Sequence, residues 1–149
     1  MANRIEGPRA PQESDREAIL AAGQVHIDKL CTLNRSWAKH INVPFATDEI
    51  VSGRVPAFVY GDYLVAFDIG GTWNSPGVRM FEELLTLRLH PGSKSCSYRQ
   101  VVWCMESLAR ANGCVGVLLG TVGAYDDKLG RVIERLGYER AGGSFYKEV

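Results

Sequence analysis

The sequence predicts one α/β domain of the α+β kind, in which helices and strands are mixed. Apolar residues recur at helical spacing in residues 14–33 and 97–111, whereas residues 57–69 and 84–89 are rich in β-forming residues. A chain of 149 residues with 46% apolar residues can bury one substantial core. We therefore expect residues 1–149 to form a single domain, with residues 1–12 as an N-terminal arm or first strand.

Helices are predicted first along the chain. Ser14 and Glu17 have the spacing of a capping box, so a helix should begin there and run over residues 14–33. Two weaker helical segments are expected at residues 35–41 and 47–52.

A hairpin and a loop should follow these helices. The β-rich runs 56–60 and 63–69 flank Gly61 and Asp62, which predicts an antiparallel hairpin. Glycine, asparagine, serine and proline in residues 70–77 predict a loop, whose Trp73 is either a partly buried anchor or a cleft wall.

Strands and helices should alternate in the second half of the chain. A capping box of Ser97 and Gln100 begins a long helix that should end at Asn112 and Gly113. The other predicted elements are a strand at 84–89, an apolar strand at 115–120 covered on both faces, a helix at 129–136 closed by Gly137 and a hairpin at 138–149.

Composition argues against several classes of partner. Lysine plus arginine balances aspartate plus glutamate at 17 each, without blocks of like charge, so no nucleic-acid partner is expected. No apolar segment is long enough to cross a bilayer, and the charged N-terminus lacks a leader-like run, so we expect no membrane partner.

No metal site is expected, because the cysteines and histidines show no ligand spacing. Unpaired thiols are typical of a reducing compartment, and we expect a soluble, cytoplasmic protein.

Two motifs give this order of elements a family resemblance. Leu89-His90-Pro91 ends a strand before a turn and a long helix, and residues 132–138 read Val-Ile-Glu-Arg-Leu-Gly-Tyr. They are similar to the Val-x-Pro and Leu-Tyr-Glu-Lys-Leu-Gly-Phe motifs of the GNAT superfamily, the acyl-CoA N-acyltransferases. The resemblance covers nearly the whole chain. It implies a mixed, mostly antiparallel central sheet flanked by helices, acetyl-CoA as the acyl donor, and a small-molecule or protein amine as the acceptor.

The resemblance also locates a cofactor site, at which the family pattern is eroded. Family members hold the CoA pyrophosphate with backbone amides of an R/Q-x-x-G-x-G/A turn. Lys94 stands at the first position, but Ser97 and Arg99 replace the glycines, and Ser97 and Gln100 can cap the helix themselves. The turn is therefore either a phosphate site or an ordinary solvated turn. The cofactor-binding residues that the resemblance implies are Leu87, Arg88, Leu89, Lys94, Ser95, Ser97, Tyr98, Arg99 and Asp126, the last of which is also explained as a helix cap.

The catalytic positions are eroded as well. Many family members protonate the leaving thiolate with the tyrosine of their second motif, but this chain has Ile133 there. Tyr125 and Tyr146 are substitute acids or, alternatively, packing residues. Glu82 and Glu83 stand where some members carry a general base. Because neighbouring strand residues point to opposite faces, we expect at most one of them to face the cleft.

Three interpretations follow from these residues. The first is an acetyltransferase that acts on an amine, and the second is a non-catalytic GNAT-fold structural or accessory protein. Proteins of the second kind occur in tailed bacteriophages, some beside virion proteins; such a protein would have protein partners or form a homo-oligomer, in the host cytoplasm or the virion. The third is a small α/β domain that merely converges on this order of elements.

Overall fold

The computed structural model describes residues 7–149 as helices packed against one four-stranded sheet. Helices α1 (Arg16–Thr32) and α2 (Val43–Val51) come first, with 3-10 turns at Glu13–Asp15 and Ser36–His40. Helices α3 (Tyr98–Ala111) and α4 (Lys128–Arg135) lie in the second half. The strands are β1 (Ala57–Tyr60), β2 (Tyr63–Thr72), β3 (Ser75–Arg88) and β4 (Gly116–Leu118).

The sheet has the order β1-β2-β3-β4 and is mixed, mostly antiparallel. β1 pairs with β2 and β2 with β3 in antiparallel fashion, whereas β3 and β4 are parallel. The predicted fold class and the first hairpin are thereby confirmed. Of the predicted N-terminal arm, residues 1–6 lie outside the described residues, and Arg9 forms an antiparallel bridge to Val59.

The predicted loop at residues 70–77 is wrong. β2 continues to Thr72 and β3 begins at Ser75, and these two residues are partners in the ladder. The glycines are tolerated because the backbone hydrogen bonds of a long hairpin do not depend on side chains. Trp73 lies in the tight turn and is 96% exposed, so it is neither an anchor nor a cleft wall.

The first predicted capping box is also wrong, and the second is confirmed. The Gln12 amide donates to the Asp15 carboxylate over 2.7 Å, so a 3-10 turn precedes α1 and Ser14 caps nothing. At α3 the Ser97 amide donates to Gln100 Oε1 over 2.8 Å, and the Gln100 amide donates to Ser97 Oγ over 3.3 Å. α3 ends at Asn112 as predicted.

Two cores lie on opposite faces of the sheet. α3 covers one face, where Phe58, Val65, Phe81, Val101 and Met105 are buried together. α1 and α2 cover the other face, where Ile19, Ile50, Val59, Leu64, Leu87 and Leu89 are buried together. The rigid sheet thus separates two apolar layers.

The end of the chain differs from the prediction. β4 has three residues instead of six and is not covered on both faces, since Val115 before it is 70% exposed. No strand follows β4 in the described part of the chain, so the predicted hairpin at 138–149 is wrong. Tyr138 packs against the α3 core, but residues 139–149 are exposed, and their apolar side chains, Phe145 and Val149 among them, belong to neither core and so do not hold the segment on the sheet.

Candidate functional site

β3 and β4 separate after a short parallel contact. They pair at three positions, of which the last joins Glu82 to Leu118. β3 then continues to Arg88, while the chain after β4 turns away without pairing. The edge of β3 over residues 83–88 therefore faces no strand in the described part of the chain, and its backbone groups are available to a ligand.

A β-bulge lies at the start of this separated segment. The register between β2 and β3 shifts between Ala66 and Phe67, which leaves Leu84 without a partner. The bulge switches the faces of the strand, so Phe81 belongs to the α3 core and Leu85 packs against the α1 core despite their even spacing. Side chains around the bulge consequently reach positions that a regular strand would not give them.

A cleft of about 1230 Å³ occupies the gap between the separated strands. Its walls come from α1, from β3 between Glu82 and Arg88 with Leu89 after it, from Tyr98 at the start of α3, and from residues 120–132. Because these walls belong to elements on both faces of the sheet, the cleft extends to both faces.

Both glutamates line the cleft, which corrects the expectation that at most one would do so. The two side chains do point to opposite faces of the strand, but the cleft reaches both faces at the bulge. Glu82 is exposed, whereas Glu83 is mostly buried. Burial raises the pKa of Glu83 to about 7; the nearby Gly120 amide and Thr86 hydroxyl lower that pKa in part, although neither reaches hydrogen-bond geometry. Glu83 can therefore exchange a proton near neutral pH.

Two buried hydroxyl groups in the cleft have no hydrogen-bond partner among residues 7–149. They are Thr86 Oγ1 and Tyr98 Oη. Burial raises the pKa of the Tyr98 phenol, and the nearby Glu83 charge adds to this, so the phenol stays protonated. Unpaired buried polar groups are unfavourable, and a bound molecule with polar atoms at these positions would satisfy them.

A histidine and a tyrosine that are distant in sequence meet in the cleft. His26 Nδ1 lies 2.8 Å from Tyr125 Oη, and both side chains line the cleft. Burial lowers the pKa of His26 and raises that of Tyr125, so both are neutral at pH 7. Ile133 is buried and Tyr146 does not line the cleft, which leaves Tyr125 as the better placed substitute acid of the two named from the sequence. Sequence reasoning missed His26, because no pattern links residues 99 positions apart.

The turn after Pro91 is fastened to the first hairpin by Asp62, whose side chain is 1% exposed. Arg88 Nε and Ser95 Oγ donate to its carboxylate over 2.8 and 2.7 Å, and the Leu89 amide donates to its carbonyl oxygen over 2.7 Å. Burial alone would raise the pKa of Asp62, but the hydrogen bonds from Arg88 and Ser95 outweigh it and lower the pKa. The buried Asp62 carboxylate thus fastens the turn to the first hairpin.

The same turn offers only part of a phosphate cradle. The amides of Ser93, Ser95, Ser97 and Gln100 are engaged within the turn or by the helix cap. These internal bonds remove four of the N–H groups that could bind a phosphate.

The predicted cofactor residues fall into two groups. Leu87, Arg88, Leu89, Tyr98 and Asp126 line the cleft together with both glutamates, whereas Lys94, Ser95, Ser97 and Arg99 do not. Asp126 also accepts a hydrogen bond from the Lys128 amide over 2.8 Å, so it engages the first amide of α4 from the position before the N-cap residue Asp127.

Residues 7–149 contain neither a metal-binding cluster nor a membrane-spanning helix. Histidine, cysteine, aspartate and glutamate form no group that could hold a metal ion. None of the helices is both long enough and apolar enough to cross a membrane.

No protein-family model matches this chain, and no curated protein matches its sequence. Solved structures match it closely in shape at low identity. A tetramutant of the BH1408 protein from Bacillus halodurans is 11% identical with a TM-score of 0.70, over 97% of this chain and 100% of that one. The ribosomal-protein-alanine N-acetyltransferase from Brucella melitensis biovar Abortus 2308 is 9% identical with a TM-score of 0.67, over 97% and 100%.

A third structure was solved with a ligand. It is an aminoglycoside N-acetyltransferase in complex with CoA, 12% identical with a TM-score of 0.60, over 100% of this chain and 98% of that one. The splayed strands, the cleft and these matches agree with the resemblance read from the two sequence motifs. This chain therefore has the fold of the GNAT acetyltransferases, in a divergent form.

Proposed function

We propose that this protein is an N-acyltransferase, which transfers an acetyl group from acetyl-CoA to an amine. The observation that carries the proposal is the unpaired edge of β3 beside the mostly buried Glu83, in a cleft at the strand separation. The shared fold of acetyltransferases, one of them solved with CoA, supports it.

The acyl donor is proposed to lie along the edge of β3. Backbone groups of residues 87–89 would bind the arm of the donor and stabilise the developing oxyanion, except for the Leu89 amide, which donates to the Asp62 carbonyl oxygen. The unpaired hydroxyls of Thr86 and Tyr98 are suited to hydrogen-bond its polar atoms. Asp126 lies at the other wall of the same cleft. Acetyl-CoA, when bound, supplies the activated acyl group.

Glu83 is the proposed general base, acting directly or through a water molecule. It takes a proton from the amine while the new C–N bond forms at the thioester carbonyl carbon and the C–S bond breaks. A base with a pKa of about 7 is partly ionised at neutral pH and still accepts a proton effectively. Glu82 is exposed and has no comparable environment.

Tyr125 is the proposed general acid for the leaving thiolate, in place of the tyrosine that Ile133 replaces. With Nδ1 protonated, His26 donates to the phenol oxygen, leaves the phenol proton free for the thiolate and stabilises the phenolate that forms. Tyr98 is less suitable as an acid, because burial raises its pKa further and makes it a weaker proton donor.

The phosphate end of the donor is the weakest part of the site. Lys94 and Arg99 are exposed cations without a partner in residues 7–149, and we assign their side chains and the Ser95 and Ser97 hydroxyls to the phosphates. Because four amides of this turn are engaged, we expect CoA to bind more weakly than it would to a fully free amide cradle.

The self-capped turn favours one alternative, a non-catalytic GNAT-fold protein with a binding or structural role. The absence of the family tyrosine, which Ile133 replaces, also favours the non-catalytic alternative. The cleft would then hold CoA weakly, or not at all, and would catalyse no transfer. Association with bacteriophage virions stays a prediction from sequence.

Thermal unfolding and thiol release separate the two functions. Acetyl-CoA and CoA should each raise the melting temperature, since a ligand that binds only the native state stabilises it. Release of CoA thiol with a panel of amines should follow, and Glu83→Gln should abolish release but keep the stabilisation. Stabilisation without thiol release from any amine would favour the non-catalytic alternative. No stabilisation at millimolar CoA together with no thiol release would refute the acyltransferase.

A further inference from the structure

We infer that the acceptor is an amine carrying one apolar group of about the size of a benzene ring, which occupies a cavity between α1, α2 and β3. The inference rests on the proposed function and specifies its substrate class. It is carried by the size, lining and position of that cavity, which adjoins the acyl-donor edge of β3.

The cavity has a volume of about 190 Å³. An apolar protein cavity of roughly 150 Å³ stays dry and binds benzene, so this one accommodates a single ring or a branched alkyl group, and nothing much larger. Its walls include Ile19, Ile27, Leu30, Val43, Ile50 and Leu87.

Among residues 7–149, no aspartate, glutamate, lysine or arginine lines the cavity. Of its polar side chains, Thr47 donates its hydroxyl to the Val43 carbonyl over 2.8 Å, and His26 engages Tyr125 through Nδ1. A second cationic group, as in a diamine or an aminoglycoside, would lose its water here without gaining a carboxylate partner. The cavity therefore selects against polycationic amines and in favour of monoamines with an apolar body.

The cavity opens into the cleft that Glu83 lines. Both share His26, Leu84, Leu85, Leu87, Val122 and Gly123 as walls. Leu84, at the bulge, is 53% exposed and lines both the cavity and the cleft. A molecule whose apolar end is buried in the cavity would place its amine at this mouth, on the side from which it can reach a thioester in the cleft.

Binding of an unreactive analogue tests the cavity without any catalysis. 2-Phenylethanol has the ring of phenethylamine but no amine, and it should raise the melting temperature in the absence of acetyl-CoA, whereas 1,4-butanediol should not. Ala46→Leu adds bulk to the cavity wall and should abolish the shift. Ala111→Leu, at the exposed end of α3, is the matched control and should keep it.

Thiol release then tests the substrate class. We expect kcat/KM for phenethylamine to exceed that for putrescine by at least about 10-fold, and Ala46→Leu to remove that preference. Ile41→Glu places a carboxylate at a 40% exposed wall position, which provides a variant that should fold even if Ala46→Leu does not. It should shift the preference towards putrescine by about 10-fold, while Phe45→Glu, exposed on α2 and outside the cavity, should not.

The outcomes separate this inference from the proposed function. Efficient transfer to putrescine or an aminoglycoside, with no effect of the cavity variants, would overturn the apolar acceptor and leave the acyltransferase intact. Absence of transfer to any amine would refute the function. Binding of 2-phenylethanol would then show whether the cavity is an apolar ligand site. A 2-phenylethanol shift that Ala46→Leu abolishes supports the cavity as an apolar ligand site; no shift overturns it.

Discussion

Burial raises the pKa of Glu83 to about 7, so the charge of this one side chain changes within the physiological range. If Glu83 is the base, the rate of thiol release should rise with pH through an apparent pKa near 7. Glu83→Gln should lower that rate by roughly 10²–10⁴-fold and remove the rise. Glu82→Gln, at the exposed neighbour, should change neither. An unchanged pH–rate profile in Glu83→Gln would show that another group is the base.

The same residue predicts a dependence of stability on pH. The pKa of Glu83 is raised in the folded state, so its contribution is fully present below the ordinary value of 4.5 and is lost as the pH rises through about 7. The wild type should therefore lose more stability between pH 5 and pH 8 than Glu83→Gln does, as measured by urea unfolding. Equal losses in the two proteins would contradict the buried environment of the carboxylate.

Asp62 acts in the opposite sense, because its pKa is lowered in the folded state. Its contribution is present above the ordinary value of 3.8 and is lost as the pH falls through its folded pKa. Asp62→Ala leaves Arg88 and Ser95 without their buried partner and should lower the melting temperature at pH 7 by roughly 5–10 °C. Asp68→Ala, an exposed position on β2, should change it by less than about 2 °C. Similar effects of both substitutions would mean that Asp62 does not hold the turn.

At the scale of elements, the turn after Pro91 and the first hairpin approach each other at Gly61. A Cβ atom there would lie 2.6 Å from Cys96 Sγ and 2.8 Å from Ser95 Oγ, and the backbone φ is +55°. Gly61→Ala should therefore destabilise the protein by roughly 2–4 kcal/mol in urea unfolding.

Gly77 offers a matched control for that substitution. Its φ is +78°, but no atom lies within 4 Å of an added Cβ, so Gly77→Ala bears the backbone strain without the clash. We expect it to cost roughly 1 kcal/mol. Equal costs at the two glycines would mean that the turn is free to move away from the hairpin.

Short-range sequence signals correctly predicted the elements whose formation depends on neighbouring residues. The capping box at Ser97 and the apolar periodicity of α3 act over a few residues, and both are present in the structure. The predicted loop at residues 70–77 contains the observed turn at residues 73–74 but misses the paired strand residues on either side, because the ladder between β2 and β3 overrides the glycines. The hairpin predicted at residues 138–149 is absent because residues 139–149 bury no side chain that would hold them against the sheet.

The candidate site was predictable in part. Glu83 and residues 87–89 lie on β3 or directly after it, and Tyr98 and Asp126 lie at or just before the starts of α3 and α4, so the motifs could locate them. The contact of His26 with Tyr125 depends on how α1 packs beside the segment before α4, and the bulge at Leu84 decides which side chains reach the cleft. Both are consequences of tertiary packing that leave no short-range trace in the sequence.

At the scale of the whole molecule, two cores on opposite faces of the sheet hold the fold, and the last residues belong to neither. Beyond Arg140 every residue is exposed, and an exposed ion pair between Lys39 and Glu148 is the main link to the rest of the described chain. Exposed pairs of this kind contribute little to stability. Deleting residues 141–149 should therefore shift the melting temperature by no more than about 2 °C.

Tyr138 provides the control for this deletion, because it is the last residue that packs against a core before the exposed residues 139–149. Its ring packs against the α3 core and its hydroxyl donates to Glu106 over 3.0 Å. Tyr138→Ala should cost about 2–3 kcal/mol, measured by urea unfolding at pH 7. If the deletion destabilises the protein as much as Tyr138→Ala does, the tail contributes to the fold, and the sheet is not complete at β4.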